Sequence, residues 1–190
     1  MSNAIDNLID GGSIGALGGS GRIPASFDAN QADNDEKIEQ QFAVACFEQA
    51  ETYMGLISTI KGSSLKRLTQ HDDEIYDEFV KHFPELQSDA RLSKLSENEL
   101  KSAEGKRRWR EFMMPFEKKV DDYNFGTLIR ADVNEDYTES NSIFVLIDDH
   151  LEFSISGYRT QFYAIEIARN RRGLNDPIWE KAQAGKESQA

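Results

Sequence analysis

The chain has 190 residues, close to one typical domain length, and 34 acidic against 22 basic side chains give it a formal net charge of -12. That balance argues against a general binder of nucleic acid, DNA included, or of anionic membranes, because both kinds of binding neutralise phosphate with clustered cations. One cysteine, Cys46, allows no intrachain disulfide and favours a reducing, cytoplasmic setting, and no run of about 20 apolar residues is present to cross a bilayer.

Six of the 13 glycines fall between Gly11 and Gly21, in a stretch without aromatic residues. Ordering it would cost backbone entropy for little apolar burial, so residues 1–33 read as a flexible Gly/Ser-rich tail. Asp33 and Glu36 form a capping box that opens the folded region. Phe42, Cys46, Gln49, Tyr53 and Leu56 then recur at three- and four-residue spacing, which predicts an amphipathic helix of about six turns. Gly62 and Ser63–Ser64 end it in a loop.

A second helix is predicted after Thr69, with Asp72, Asp73 and Glu74 in a first turn where the macrodipole favours anions. Ile75, Tyr76, Phe79, Val80 and Phe83 make its apolar face, and Pro84 closes it. Ser96 with Glu99 is a second capping box, opening a helix expected to run on toward Trp109. Trp109, Phe112, Met113, Phe116, Val120 and Tyr123 extend a helical stripe in which Pro115 imposes a kink or a new start.

After Gly126 the pattern turns to strand at Thr127–Ala131, at Ile143–Ile147 and at the alternating Leu151, Phe153 and Ile155. Gln161–Arg172 reads as a helix, with Gln161, Glu166, Arg169 and Asn170 on one side, Phe162, Ile165 and Ala168 on the other, and Gly173 as its C-terminal cap. The polar run Lys181–Ala190 reads as a frayed end. The expected fold class is α+β: a mainly helical single domain with a small antiparallel sheet, spanning residues 34–176 and followed by a C-terminal tail at 177–190.

No motif carries catalytic chemistry. The glycine-rich segment lacks the G-x-x-x-x-G-K-[ST] phosphate loop, and the Asp132, Asn134, Asp136 run has Tyr137 where a calcium loop needs glycine. His71 to Glu74 point in different directions on a helix and lack zinc-type spacing, so no metal and no cofactor are expected. Charge is more informative by segment. Residues 35–90 hold five basic against twelve acidic side chains, and residues 121–153 hold one against nine. Two cationic islands interrupt them, one with Lys106, Arg107, Arg108 and Arg110 and one with Arg159, Arg169, Arg171 and Arg172. Each is either a solvated helix face paired with acidic neighbours or a docking surface for an acidic or ribonucleoprotein partner.

Five segments, IEQQFAVACFEQAETY (38–53), LTQHDDEIYDEF (68–79), AEGKRRWREF (103–112), FEKKVDDYNFGTLIRAD (116–132) and QFYAIEIARNRRGLND (161–176), together resemble the polysaccharide biosynthesis domain-containing protein 1 family of fungi and animals. The resemblance covers most of residues 36–176, in order. It implies a small cytoplasmic, ATP-independent chaperone, not an enzyme, that protects the GTP-binding domain of newly made translation elongation factor 1-alpha at or near the ribosome. The implied partners are that nascent chain and the ribosome, and the chaperone is expected to act as a monomer. No strand–glycine-rich turn–helix unit is present for the methyl donor used by plant glucuronoxylan methyltransferases of the same loose domain grouping.

Client contacts are expected at His71, Asp72, Asp73 and Glu74, with Tyr123, Phe125, Arg130, Arg169 and Asn170 beside them. Ribosome or RNA contacts are expected at Lys106, Arg107, Arg108, Arg171 and Arg172. Two alternatives stand next to this reading: a small enzyme of polysaccharide or carbohydrate biosynthesis, which needs a deep polar pocket, and a ribosome- or RNA-associated adaptor using the basic islands. One departure from the family pattern is Leu146–Tyr158, an insertion that is either an added strand or the translation of a mis-spliced intron.

Overall fold

The chain is described from a computed structural model over residues 36–120, 127–144 and 158–188. Seven α-helices and one two-stranded antiparallel sheet occur among these residues, so the α+β, mainly helical expectation holds. Helix α1 (Glu36–Thr59) runs for 24 residues and ends before a 3-10 turn at Gly62–Ser64. Cys46, Ala50, Tyr53 and Ile57 form its buried face; of the stripe read from sequence Cys46 and Tyr53 are buried, Gln49 and Leu56 are half-buried at its edge, and the Phe42 side chain lies outside those described.

Helix α2 (Asp72–His82) begins and ends where its acidic first turn and Pro84 place it, with Ile75 and Phe79 turned inward. A short turn at Pro84–Gln87 leads to α3 (Asp89–Ser93). The Ser96 hydroxyl caps α4 (Glu97–Lys101) by accepting the Glu99 amide at 3.4 Å, as the capping box requires. That helix does not run on to Trp109. Ser102 interrupts it and caps α5 (Ala103–Met113) through the Gly105 amide at 3.0 Å. Pro115 then does more than kink the stripe: the α-helix stops, and Met114–Phe116 tightens into a 3-10 turn.

Strand β1 (Leu128–Arg130) pairs antiparallel with β2 (Ser142–Phe144), with Ile129 opposite Ile143. The sheet is small because its next backbone partner is a loop: the Leu95 amide donates to the Ala131 carbonyl at 2.9 Å and the Val133 amide to the Ser93 carbonyl at 3.0 Å. The polar turn after β1 is closed by Asp132, which accepts the Asn134 amide.

Helix α6 (Tyr158–Arg171) is the centre of the protein. It packs against α2, α3, α5 and the Gly62–Ser64 turn, and every residue from Arg159 to Asn170 is buried. The sequence reading assigned it a wet polar side; the structure gives it none. Gly173, at φ 69°, ends it as expected, donating to the Asn170 carbonyl while Leu174 donates to that of Arg169. Residues 176–187 correct the reading of a frayed C-terminal tail. They form α7 (Asp176–Glu187), opened by Pro177 in its first turn, and its buried Ile178 helps pack it on α1.

The predicted Asp33 cap, the 1–33 tail, Tyr123, Phe125, the strand at Leu151–Ile155 and nearly all of the 146–158 insertion lie outside the described residues.

The tightest apolar packing joins α2 to α5. Trp109 stacks on Phe83 with ring centroids 4.0 Å apart, and Phe112 meets Phe79, Phe83 and Trp109 edge-on. Phe112→Ala is expected to cost about 3–5 kcal/mol in urea unfolding, since the rings of Phe79, His82, Phe83, Trp109 and Phe116 around it cannot all collapse into the space. Met114→Ala, at a side chain 66% exposed, is expected to change stability by less than about 0.5 kcal/mol. Equal losses at the two positions would contradict this account of the core.

Candidate functional site

Three of the side chains expected at a client surface, Arg130, Arg169 and Asn170, meet in the interior. β1 delivers Arg130, and α6 delivers Glu166, Arg169 and Asn170 at helical spacing. The Glu166 carboxylate sits between two guanidiniums: Arg169 Nη1 donates to one oxygen at 2.8 Å, and Arg130 Nη2 lies 3.4 Å from the other. Asn175 donates to that second oxygen at 2.9 Å, and the Tyr53 hydroxyl donates to it from α1, also at 2.9 Å. Asn175 also bonds Asn170 at 2.7 Å, and Asn170 donates to the Tyr53 oxygen at 3.1 Å.

Each guanidinium also reaches backbone. Arg169 bonds the Leu92 and Arg130 carbonyls at 3.1 and 3.0 Å, and Arg130 bonds that of Val133 at 2.9 Å. Burial pushes the Glu166 carboxyl upward, but the charges of Arg169 and Arg130, with the Asn175 amide, outweigh it and hold it below the ordinary glutamate range. Burial, followed by the Glu166 charge, keeps the Tyr53 hydroxyl protonated far above its usual range. Arg130 and Arg169 are 0% exposed and Asn170 is 5% exposed, so they are corrected from client contacts to buried supports of α6.

The remaining client candidates gather at the start of α2. His71 is half-exposed and its amide donates to the Thr69 hydroxyl, so Thr69 closes the turn before the helix. Asp72 is buried and turns back to accept the Leu68 and Thr69 amides at 2.7 and 2.6 Å. It is a loop clamp, not a contact for a passing chain. Burial raises its carboxyl pKa against the pull of those amides. Asp73 and Glu74 are exposed, yet each is engaged, Asp73 with Arg171 and Glu74 with Lys119. Arg171 also lies over the Tyr76 ring at 4.5 Å.

The cationic candidates are mostly neutralised by the chain itself. Arg107 pairs with Glu104 and Glu111 on its own helix. Arg108 pairs with Glu85, reaches the His82 carbonyl and stacks over Phe83 at 4.8 Å. Arg172 pairs with Asp89 and binds the Gln87 carbonyl. Lys106 is half-exposed in the middle of this group.

A surface that the sequence reading missed lies on α1. Val44 and Phe47 are 56% and 50% exposed, and with Met114 they are the large apolar side chains left open among the described residues. Glu48 and Glu51, also exposed, complete a stripe at positions i, i+3, i+4 and i+7. The signal was present in the sequence: Val44 and Phe47 stand off the Cys46–Tyr53 face that had to be buried.

Replacing Glu166 by Gln keeps the shape but leaves two buried guanidiniums without their counter-charge. The expected loss is about 3–5 kcal/mol at neutral pH by denaturant unfolding. Because the folded carboxyl titrates below the unfolded one, its contribution is complete above the unfolded value near 4.5 and is lost as pH falls toward the folded value. The gap between wild type and Glu166→Gln should therefore narrow below about pH 4.5. A gap that is constant down to acid unfolding would show that Glu166 is not folded as a charged group.

Residues 38–180 match the family model described as PBDC1 protein. The Protein PBDC1 homolog of Saccharomyces cerevisiae (strain ATCC 204508 / S288c) is 50% identical over 154 residues, covering 81% of this chain and 97% of that protein. The Protein PBDC1 homolog of Schizosaccharomyces pombe (strain 972 / ATCC 24843) is 47% identical over 82% of this chain and 97% of that protein. Human Protein PBDC1 is 41% identical over 83% of this chain and 60% of its own length. The solution NMR structure of protein yst0336 from Saccharomyces cerevisiae superposes with a TM-score of 0.67, at 50% identity, over 81% of this chain and 97% of that one. With a family model spanning most of the chain and three relatives above 40% identity, the chain belongs to the PBDC1 family.

Proposed function

We propose that this protein is an ATP-independent, cytoplasmic chaperone that acts near the ribosome on newly made translation elongation factor 1-alpha, holding its GTP-binding domain until that domain folds. The observation that carries the reading is the α1 stripe, where Val44 and Phe47 stand exposed on the same face as Glu48 and Glu51, which follow them along the helix. An incompletely folded GTP-binding domain presents apolar segments, and elongation factor 1-alpha is a basic protein. A surface that joins apolar contact to negative charge supports capture of such a client, with the overall charge of -12 steering the encounter. The stripe sits on the outside of a helix whose opposite face is locked into the core, so client contact leaves the fold unchanged.

The carbohydrate-enzyme alternative is not favoured. The relatives carry family names and not enzyme names. The cleft beside the Gly62–Ser64 turn holds about 60 Å³, against several hundred for a typical small-molecule site.

Affinity capture from a translating extract is expected to recover nascent elongation factor 1-alpha with the wild-type chain. Changing Val44→Asp and Phe47→Asp together should lower recovery by about tenfold, while unfolding stability moves by less than about 0.5 kcal/mol per site. Undiminished capture by the double variant would remove the stripe from the interface. Equal capture of unrelated nascent GTP-binding proteins would remove the dedication.

A further inference from the structure

Cations on this protein are largely paired with its own acids: Lys61 with Asp176, Arg91 with Glu99, Lys94 with Asp132, Lys101 with Glu97. Lys66 and Arg67 are exceptions, as are the isolated Arg110, Lys118 and Lys186. The first two are adjacent and exposed on the loop between the Gly62–Ser64 turn and Leu68, and neither has an ion pair or side-chain hydrogen bond among the described residues.

Both line the cleft of about 60 Å³, which Arg171 also lines from the end of α6. Leu65, Leu68 and Ile167 make its apolar lining, and Asp72, which also lines it, has its carboxylate taken up by the Leu68 and Thr69 amides. The Arg171 guanidinium is aligned by the Tyr76 ring and bonds the Asp73 carboxylate, whose side chain is 93% exposed. A carboxylate therefore already docks on one of the three cations, from a residue free to swing into water.

We propose that this cleft binds an acidic peptide segment. One carboxylate of the segment displaces Asp73 from Arg171 and lies within reach of Lys66 and Arg67, while a neighbouring aliphatic side chain covers Leu65. The size of the cleft and its half-apolar lining suit a carboxylate-bearing side chain better than a nucleobase. The exposed acids of α2, Asp73, Glu74 and Asp77, repel any polyanion that extends past the three cations, so a short acidic segment is favoured over a nucleic-acid strand. This site has the opposite polarity to the α1 stripe, and its existence does not depend on the elongation-factor reading.

The test is titration of the isotope-labelled full chain with a capped hexapeptide of alternating glutamate and leucine at low ionic strength, followed by amide chemical shifts. Saturable shifts at Gly62–Leu68 and Ile167–Arg171 are expected. Lys66→Glu with Arg67→Glu, both at exposed positions, should weaken binding at least about tenfold. Asp73→Asn should tighten it by about two- to fivefold by releasing Arg171. Shifts centred elsewhere, or an unchanged affinity in either variant, would overturn the proposal. Tighter binding at the same amides by an oligouridylate of equal charge would overturn the peptide assignment in favour of RNA.

Discussion

The Glu166 carboxylate, shared by the guanidiniums of Arg169 and Arg130, is the constraint on which the rest of the structure depends. Three ionised groups at 0% exposure carry a large desolvation penalty, tolerable only where nearly every strong donor and acceptor has a partner; among these three groups Arg130 Nε is the atom without one. That requirement fixes the positions of the surrounding pieces. Arg169 must find the Leu92 and Arg130 carbonyls, which ties α3 and β1 to α6. Arg130 must find the Val133 carbonyl, and Tyr53 must bring α1 to the same carboxylate. A helix buried along twelve successive residues has no solvent face on which to leave a polar group, so Glu166, Arg169 and Asn170 become the joints between elements, while Thr160 Oγ1 and Gln161 Nε2 are buried without a hydrogen-bond partner.

The same network reaches the surface through Asn170. A Cβ added at Gly62 would stand 2.8 Å from the Asn170 side-chain oxygen and 3.0 Å from the Asn175 Cβ. Glycine at that position lets the 62–64 turn lie directly on the polar centre, and Asp176 then pins the turn by accepting from the Ser63 amide and hydroxyl, each at 2.8 Å. The loop that follows, with Lys66 and Arg67, thus starts from a fixed point. Asp72 fixes its other end through the Leu68 and Thr69 amides.

Local signals made much of this legible in the sequence, and long-range ones did not. The apolar spacing of α1 and α2, the Ser96 cap, the Ile143 strand and the Gly173 stop each depend on neighbours within a few residues, and each holds. The Ser102 cap was missed because no glutamate returns its bond three residues on; the amide it caps belongs to a glycine. Helix α7 was missed because its composition is polar, although Asn175–Asp176–Pro177 followed by Ile178 and Trp179 is a helix-start pattern. Arg130, Arg169 and Asn170 were assigned outward because charged side chains are ordinarily exposed. Glu166, the partner shared by the two arginines, lies three positions from Arg169 but 36 from Arg130, and its Tyr53 partner is 113 away. Only the folded chain brings such residues together.

The charge of -12 gains meaning from the same distinction. The buried carboxylate of Glu166 is spent on two internal arginines, and many surface acids are spent on helix-face lysines and arginines. Among the described groups left open, two sets stand beside apolar surface: Glu48 and Glu51 with exposed Val44 and Phe47 on one element, Lys66 and Arg67 with Leu65 on another. A centre held by a buried charged network that joins four elements is poorly suited to rearrange around a ligand. The two surfaces proposed for recognition lie instead on its rim, where apolar and charged groups stand together and substitution leaves the core intact.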